Sequence, residues 1–246
     1  MRRSTTRVHG ASPLAVGALT QNLAATDGTT QSRRAYLQIR ADLMACRLMP
    51  GERLNIARIA EQLGVSLGAV REALSTLQAE SLVVAEAQKG YTVSRVSRAE
   101  LLDITHARVE LEKLCLAASI ESGDYEWEGD VLAAMHRLDR IEQAASPSGY
   151  TADSEWIGAH AHFHSTLVRA CHSDWLLRMR WTLFEQSERY RSLAVPLAAP
   201  TRHLGDEHQA IVRAVMAKDV NRAQELIAEH VWTTAQALLD APALSA

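Results

Sequence analysis

The stretch from Leu54 to Leu77, LNIARIAEQLGVSLGAVREALSTL, constrains this chain more than any other, because its apolar spacing and its breaker describe two short helices joined by one tight turn. Leu54, Ile59, Ala60 and Leu63 recur at helical spacing, and Gly64 stands where a helix ends on a residue tolerant of positive φ. A second helix follows at once, with Ser66 as its expected N-cap and Val70, Ala73, Leu74 and Leu77 as its buried stripe. Ala60 is small enough for a close helix crossing, and Val65 is an apolar plug at the corner. This is the helix-turn-helix pattern, whose second helix is shaped to enter the DNA major groove. On this stretch alone the alternative is an αα-hairpin with no nucleic-acid partner.

The flanks extend the pattern. Tyr36, Ile39, Leu43 and Met44 make one face of a helix that starts near Arg33 and is expected to end near Pro50-Gly51. After the second helix, Leu82 to Ala85 and Tyr91 to Ser94 read as two short strands around a loop that closes on Lys89-Gly90. Three helices and a hairpin make a winged helix, with Lys89 placed to touch the DNA backbone or minor groove. Residues 1–32 are rich in Ser, Thr, Gly, Ala and Asn, which predicts a disordered arm. Beyond Val96 the periodicity is helical throughout. It predicts helices over about 97–122, 127–145, 153–170, 174–193, 202–217 and 220–239, broken at Gly123-Asp124 and in the loop around Pro147. The expected fold is mainly α: a winged helix-turn-helix domain over 33–97, then an antiparallel six-helix bundle over 98–246 for effector binding and dimerisation.

Charge divides along the same boundary. Residues 33–98 hold ten Lys/Arg against six Asp/Glu, whereas residues 99–246 hold 13 against 22, within a net charge of −3. A basic module beside an acidic one suggests that the first meets nucleic acid and the second has another task. No apolar run is long enough to cross a bilayer, and Gln21-Asn22 interrupt the mildly apolar N-terminal part, which argues against a signal peptide. Cys46, Cys115 and Cys171 are odd in number and lack C-x-x-C spacing, as expected of reduced thiols in a cytoplasm.

Nine of the ten histidines follow residue 100, and four of them fall within apolar stripes. His160 and His164 share a stripe with Trp156, Ile157, Phe163 and Leu167; His208 lies among Leu204, Ile211, Val212 and Val215; His230 lies among Ala223, Leu226, Ile227 and Val231. A single buried histidine is ordinarily a hydrogen-bonded core residue. Four on inward faces of one bundle need partners together, and one metal ion satisfies several imidazoles at once.

The ordered motifs Tyr36-x-x-Ile39-Arg40, Pro50-Gly51-Glu52-Arg53-Leu54, Ala60-Glu61-x-Leu63-Gly64-Val65-Ser66-x-x-x-Val70-Arg71-Glu72-Ala73-Leu74 and Lys89-Gly90-Tyr91-x-Val93 resemble the GntR family of bacterial transcription regulators. The resemblance implies that Arg71, with Ser66 and Gly68 at the start of the recognition helix, approaches the operator. Arg40, Arg58, Lys89 and Gly90 complete the implied DNA-facing set. Many members carry Arg or Lys where this chain has Leu67. The alternative for Arg71 is a salt bridge with Glu72. Further on, Arg108-x-x-Leu111-Glu112, His160-x-x-Phe163-His164, Glu207-His208-x-x-Ile211 and His230 resemble the FCD ligand-binding domain of the FadR-type branch. Many such domains hold a divalent metal with one Asp and three His, and the effector's carboxylate completes the coordination. This chain has His160 where that Asp is usual. An all-imidazole set of His160, His164, His208 and His230 suits Zn²⁺, Ni²⁺ or Cu²⁺ over Mg²⁺ or Ca²⁺, with Zn²⁺ or Ni²⁺ foremost.

Leu101-Leu102-Asp103-Ile104, Gly123-Asp124-x-x-Trp127-Glu128 and His160 are similar to the glutarate-responsive repressors, a smaller subgroup, which implies a short dicarboxylate effector. Arg108 is placed to grip a carboxylate in a bidentate fork, its alternative being an intrahelical pair with Glu112. Tyr190 is the other candidate effector contact, with Arg189 and Arg191 expected at the surface. The leading reading is a ligand-responsive regulator, a repressor that binds a palindromic operator as a homodimer. Two readings compete with it: a histidine-rich metal-dependent hydrolase, disfavoured by the absence of H-E-x-x-H, and an architectural DNA-binding dimer with no effector.

Overall fold

The computed structural model describes residues 29–86, 90–144, 154–194 and 204–240. Thr30 caps α1 (Gln31–Met44) by accepting from the Arg33 amide, and Ala35, Ile39 and Leu43 form its buried face. The helix ends six residues before Pro50, earlier than the sequence suggests. Cys46 takes a left-handed φ of 51° and the Arg47 and Leu48 amides turn back to the Asp42 carbonyl, so the stop is a local carbonyl-capping turn that needs no proline.

Asn55 caps α2 (Ile56–Leu63), whose C-terminus is closed by Gly64 at φ 60°. Ser66 caps α3 (Leu67–Ala79), accepting from the Ala69 amide at 3.2 Å. Val70, Ala73, Leu74 and Leu77 turn inward onto Ile39, Leu43 and Ala60 in one core. The expected hairpin is a three-stranded sheet instead. Between β2 (Val83–Glu86) and a two-residue β1 (Arg53–Leu54) lies β3 (Gly90–Val93), antiparallel to both, with Leu54 opposite Tyr91. Two residues carry no readable period, which is why β1 is invisible in the sequence.

A second core lies among α4 (Arg98–Ser122), α5 (Tyr125–Ala144), α6 (Ser154–Leu167), α7 (Asp174–Ala194), α8 (Leu204–Met216) and α9 (Val220–Leu239). The long α4 is central, packed on α9 and α7. Gly123 ends it for a steric reason: a Cβ there would meet the Trp127 ring at 2.0 Å, and that ring is fixed by its indole donating to the Thr166 carbonyl at 2.9 Å. α6 stops at Leu167, short of the expected residue 170, and a single 3-10 turn over Arg169–Cys171 follows, closed by His172 at φ 51°. The architecture is therefore a winged helix-turn-helix followed by a helical bundle. Among the described residues no helix is long and apolar enough to cross a membrane.

The two units are bolted together through α7. Arg40 of α1 meets Glu80 at 2.8 Å and Glu185 of α7 at 2.7 Å, Gln186 donates to the Glu80 carbonyl, and Arg189 donates to the Ser94 carbonyl.

Candidate metal centre and nucleic-acid interface

The four stripe histidines meet. His160 and His164 from α6, His208 from α8 and His230 from α9 are all buried, and one ligand atom of each lies within 4.8 Å of the others. His160 and His164 face one another through Nε2 at 3.1 Å. Carboxylates stand behind three of the rings. Glu207 is 2.8 Å from His230 Nδ1, Glu188 is 3.9 Å from His160 Nδ1 and Glu142 is 4.0 Å from His208 Nδ1. At 2.8 Å Glu207 can hold the His230 Nδ1 proton and leave the Nε2 lone pair for a metal, the usual second layer of a histidine metal site, whereas Glu188 and Glu142 are too distant for that bond. Zn–N bonds of about 2.0–2.1 Å in a tetrahedron set nitrogens about 3.3 Å apart, close to the spacing of the facing α6 pair. The donor set therefore fits a borderline transition metal.

Burial, reinforced by Arg191 for His160 and by neighbouring imidazoles for both, pushes His160 and His164 well below the ordinary histidine value. Both rings are neutral at pH 7 and so free to ligate. Linkage sets the sign of a stability effect: below about pH 6.5 the unfolded chain protonates these rings while the folded chain does not. Metal-free protein should keep this stability above about pH 6.5 and lose it on acidification, by up to about 1.4 kcal/mol per pH unit for each ring. Urea denaturation of chelator-treated protein at about pH 7.5 and about pH 5.5 measures it, and His164→Gln should flatten the slope.

Beside the rings lies a layer of buried charge. Glu112 on α4 accepts from Arg108 at 3.4 Å and meets Arg180 of α7 at 2.9 Å, and the Phe184 ring lies under both guanidiniums at 4.7 and 4.9 Å. The intrahelical Arg108–Glu112 pair is thus present, shared with a second arginine. Burial lowers Arg108 from its usual range, opposed by Glu112 and then Glu188. Arg191 grips Glu188 and lies 4.5 Å over Trp156, which stacks on His160 at 4.6 Å. A cavity of about 10 Å³ opens between Arg108, Trp156, His160, Glu188, Arg191 and His230.

Three expectations change here. Tyr190 faces the junction with the winged unit, where its hydroxyl takes the Ser97 amide at 3.2 Å and donates to Glu100, so it does not line this cavity. Arg189 and Arg191, expected at the surface, are 1% and 6% exposed. Arg180, Glu188 and Glu142 were not singled out from sequence. Positions 180, 184, 188 and 191 do fall on one helical face, but charged residues at that spacing read as a solvated surface.

On the winged unit, Ser66, Gly68, Arg71 and Arg58 are exposed. Among the described residues Arg71 makes no ion pair. Glu72 instead accepts from the Ser32 hydroxyl at 2.5 Å, so the alternative Arg71–Glu72 bridge does not form. Gly90 takes φ 89° at the start of β3, while Lys89 lies outside the described residues. Arg40, expected to face DNA, is engaged by Glu80 and Glu185 and stands at the junction between the units.

A winged unit that presents an exposed arginine from α3, joined to a bundle with a polar cavity, is the build of a DNA-binding transcriptional regulator with a sensor domain. Residues 31–93 match the bacterial regulatory proteins of the gntR family, and residues 103–232 match the FCD domain. The chain belongs to the GntR family, in the branch that carries an FCD domain. It is 37% identical over 209 residues to the HTH-type transcriptional repressor GlaR of Escherichia coli K12, spanning 83% of this chain and 94% of that one. It is 36% identical over 196 residues to the HTH-type transcriptional regulator BphR of Paraburkholderia xenovorans LB400, spanning 80% of each. The solved structure of Escherichia coli McbR/YncC has the same fold, with a TM-score of 0.71 at 22% identity over 85% of this chain and 97% of that one. The family consists of regulators, so the protein is a transcriptional regulator and not an enzyme, and the hydrolase alternative falls.

Proposed function

We propose that this regulator is a repressor that binds a palindromic operator as a homodimer in the cytoplasm and responds to a short dicarboxylate held in the bundle beside a divalent transition metal. Repression is the activity named for GlaR. The observation that carries the effector reading is a cluster of four buried imidazoles, two of which, His160 and His230, line one cavity with Arg108 and Arg191. The imidazoles supply neutral nitrogen donors suited to Zn²⁺ or Ni²⁺, and the guanidiniums supply planar forks for carboxylates. When bound, the ion would add positive charge beside the cavity and so favour an anionic ligand there. Ser66, Gly68, Arg71 and Arg58 meet DNA, with Lys89 and Gly90 on the wing. Effector binding shifts the two winged units of the dimer so that their spacing no longer matches the half-sites.

The test is a thermal-shift screen of metal-loaded protein with succinate, glutarate and adipate, beside a mobility-shift assay on the DNA upstream of its gene. At least one acid should raise the melting temperature and release the DNA. Arg71→Ala should weaken DNA binding by about tenfold or more, since one bidentate base contact is worth about 1–3 kcal/mol, and should leave the acid's shift intact. The pocket assignment fails if no acid shifts the melting point, or if His208→Ala and Arg108→Ala respond like the wild type.

A further inference from the structure

The cavity already contains a carboxylate. Glu188 is 8% exposed in its wall, and Arg191 Nε lies 3.0 Å from each of its oxygens while Nη2 bonds one of them. The same Oε2 is 3.9 Å from His160 Nδ1, and Arg108 borders the cavity on α4. The side chain is clamped by Arg191 beside the His160 imidazole, in a cavity that Arg108 also borders, the place an anionic ligand of this cavity would take. Room is decisive. About 10 Å³ holds roughly one water molecule, so an organic acid needs side chains in this wall to move, and Glu188 is the one that already fills the anion position.

Charge points the same way. Arg108, Arg180 and Arg191 bring three positive charges to this layer, and Glu112 and Glu188 bring two negative ones. With Glu188 turned away, this layer loses one negative charge, which the carboxylate of an incoming acid restores. α7 also carries the bolts to the winged unit on its other side: Glu185 to Arg40, Arg189 to the Ser94 carbonyl and Gln186 to the Glu80 carbonyl. Residues 185, 186, 188, 189 and 191 lie within two turns, so the anion position and the contacts to the DNA reader share one short segment of helix.

We propose that Glu188 is a built-in competitor: its carboxylate occupies the anion site of Arg191 and Arg108, and the effector's carboxylate displaces it, loosening α7 from the winged unit. The proposal rests on the reading of the cavity as a carboxylate site, but its decisive test does not need the true effector. Glu188→Ala vacates the position while leaving both arginines, and acetate is a carboxylate small enough to refill it. Acetate should raise the melting temperature of Glu188→Ala in a saturable way, leave the wild type unmoved, and fail on Glu188→Ala/Arg191→Gln. Removing the competitor should also tighten the binding of a dicarboxylate probe such as glutarate to Glu188→Gln in calorimetry, by about tenfold for a competitor that keeps about nine molecules in ten closed.

The proposal is overturned if acetate moves the wild type and Glu188→Ala alike, or moves neither. If Glu188→Ala does not fold, Glu188→Gln decides: glutarate affinity equal to or weaker than wild type overturns it. Acetate rescue with no dicarboxylate binding to any form would leave the displaced carboxylate standing and sink the effector class alone.

Discussion

Zn²⁺ supplied to chelator-stripped protein at about a thousand times its dissociation constant should add about 4 kcal/mol of stability, with one ion bound per chain. For a protein of this size each kcal/mol is worth about 2–4 °C, so the melting temperature should climb by roughly 8–16 °C. That ratio is reached at a low zinc concentration because preplaced donors keep the dissociation constant small. The four donors already lie within 4.8 Å, and Glu207 stands at His230 Nδ1. His160 and His164 need lose no proton at neutral pH, since burial keeps them neutral. His208→Ala and His230→Ala should each lower the affinity by two orders of magnitude or more, whereas His136→Gln, on the exposed face of α5, should change nothing. Elemental analysis and differential scanning calorimetry read the outcome. Equal metal content in His208→Ala and wild type would mean that these rings form a hydrogen-bonded core and no metal centre.

Glu112→Ala should cost about 3–5 kcal/mol, the usual penalty for removing one partner of a buried ion pair. Glu112 is 0% exposed and its Oε1 is the shared acceptor for Arg108 and Arg180. Without it two buried guanidiniums face each other with little beyond the Phe184 ring and the His164 carbonyl to compensate. Truncating Arg180 as well should recover part of the loss, because a single cation over Phe184 is less costly than two. The midpoint in urea measures both variants. A loss below about 1 kcal/mol for Glu112→Ala would show that water enters this layer and screens the arginines.

Much of the architecture can be read locally. Ser66 and Ser97 accept from the amides three residues on, at 3.2 and 3.1 Å, and Gly64 takes the left-handed turn, so the helix ends follow from cap chemistry. The histidines were legible for a related reason. His160, His164, His208 and His230 share the phase of Phe163, Ile211 and Ile227, and a helix that buries one of these must turn its neighbouring ring inward as well.

Helix ends without a distinctive residue were not legible: Cys46 and His172 turn left-handed at sites where no glycine announces it. The charged residues were still harder to place. Arg40 was expected at DNA, Tyr190 in the cavity and Arg191 in solvent, and the fold moves each of them elsewhere.

The amino-acid order by itself determined the winged unit, the helical bundle, the family and the inward phase of four imidazoles, because apolar periodicity and capping act over a few residues. Only the tertiary structure decided which arginines lie inside and which carboxylates meet them. A buried guanidinium needs a partner to offset its desolvation, and Arg180 of α7 finds Glu112 on α4, as the half-buried Arg40 finds Glu185 145 positions away. No local spacing encodes that meeting.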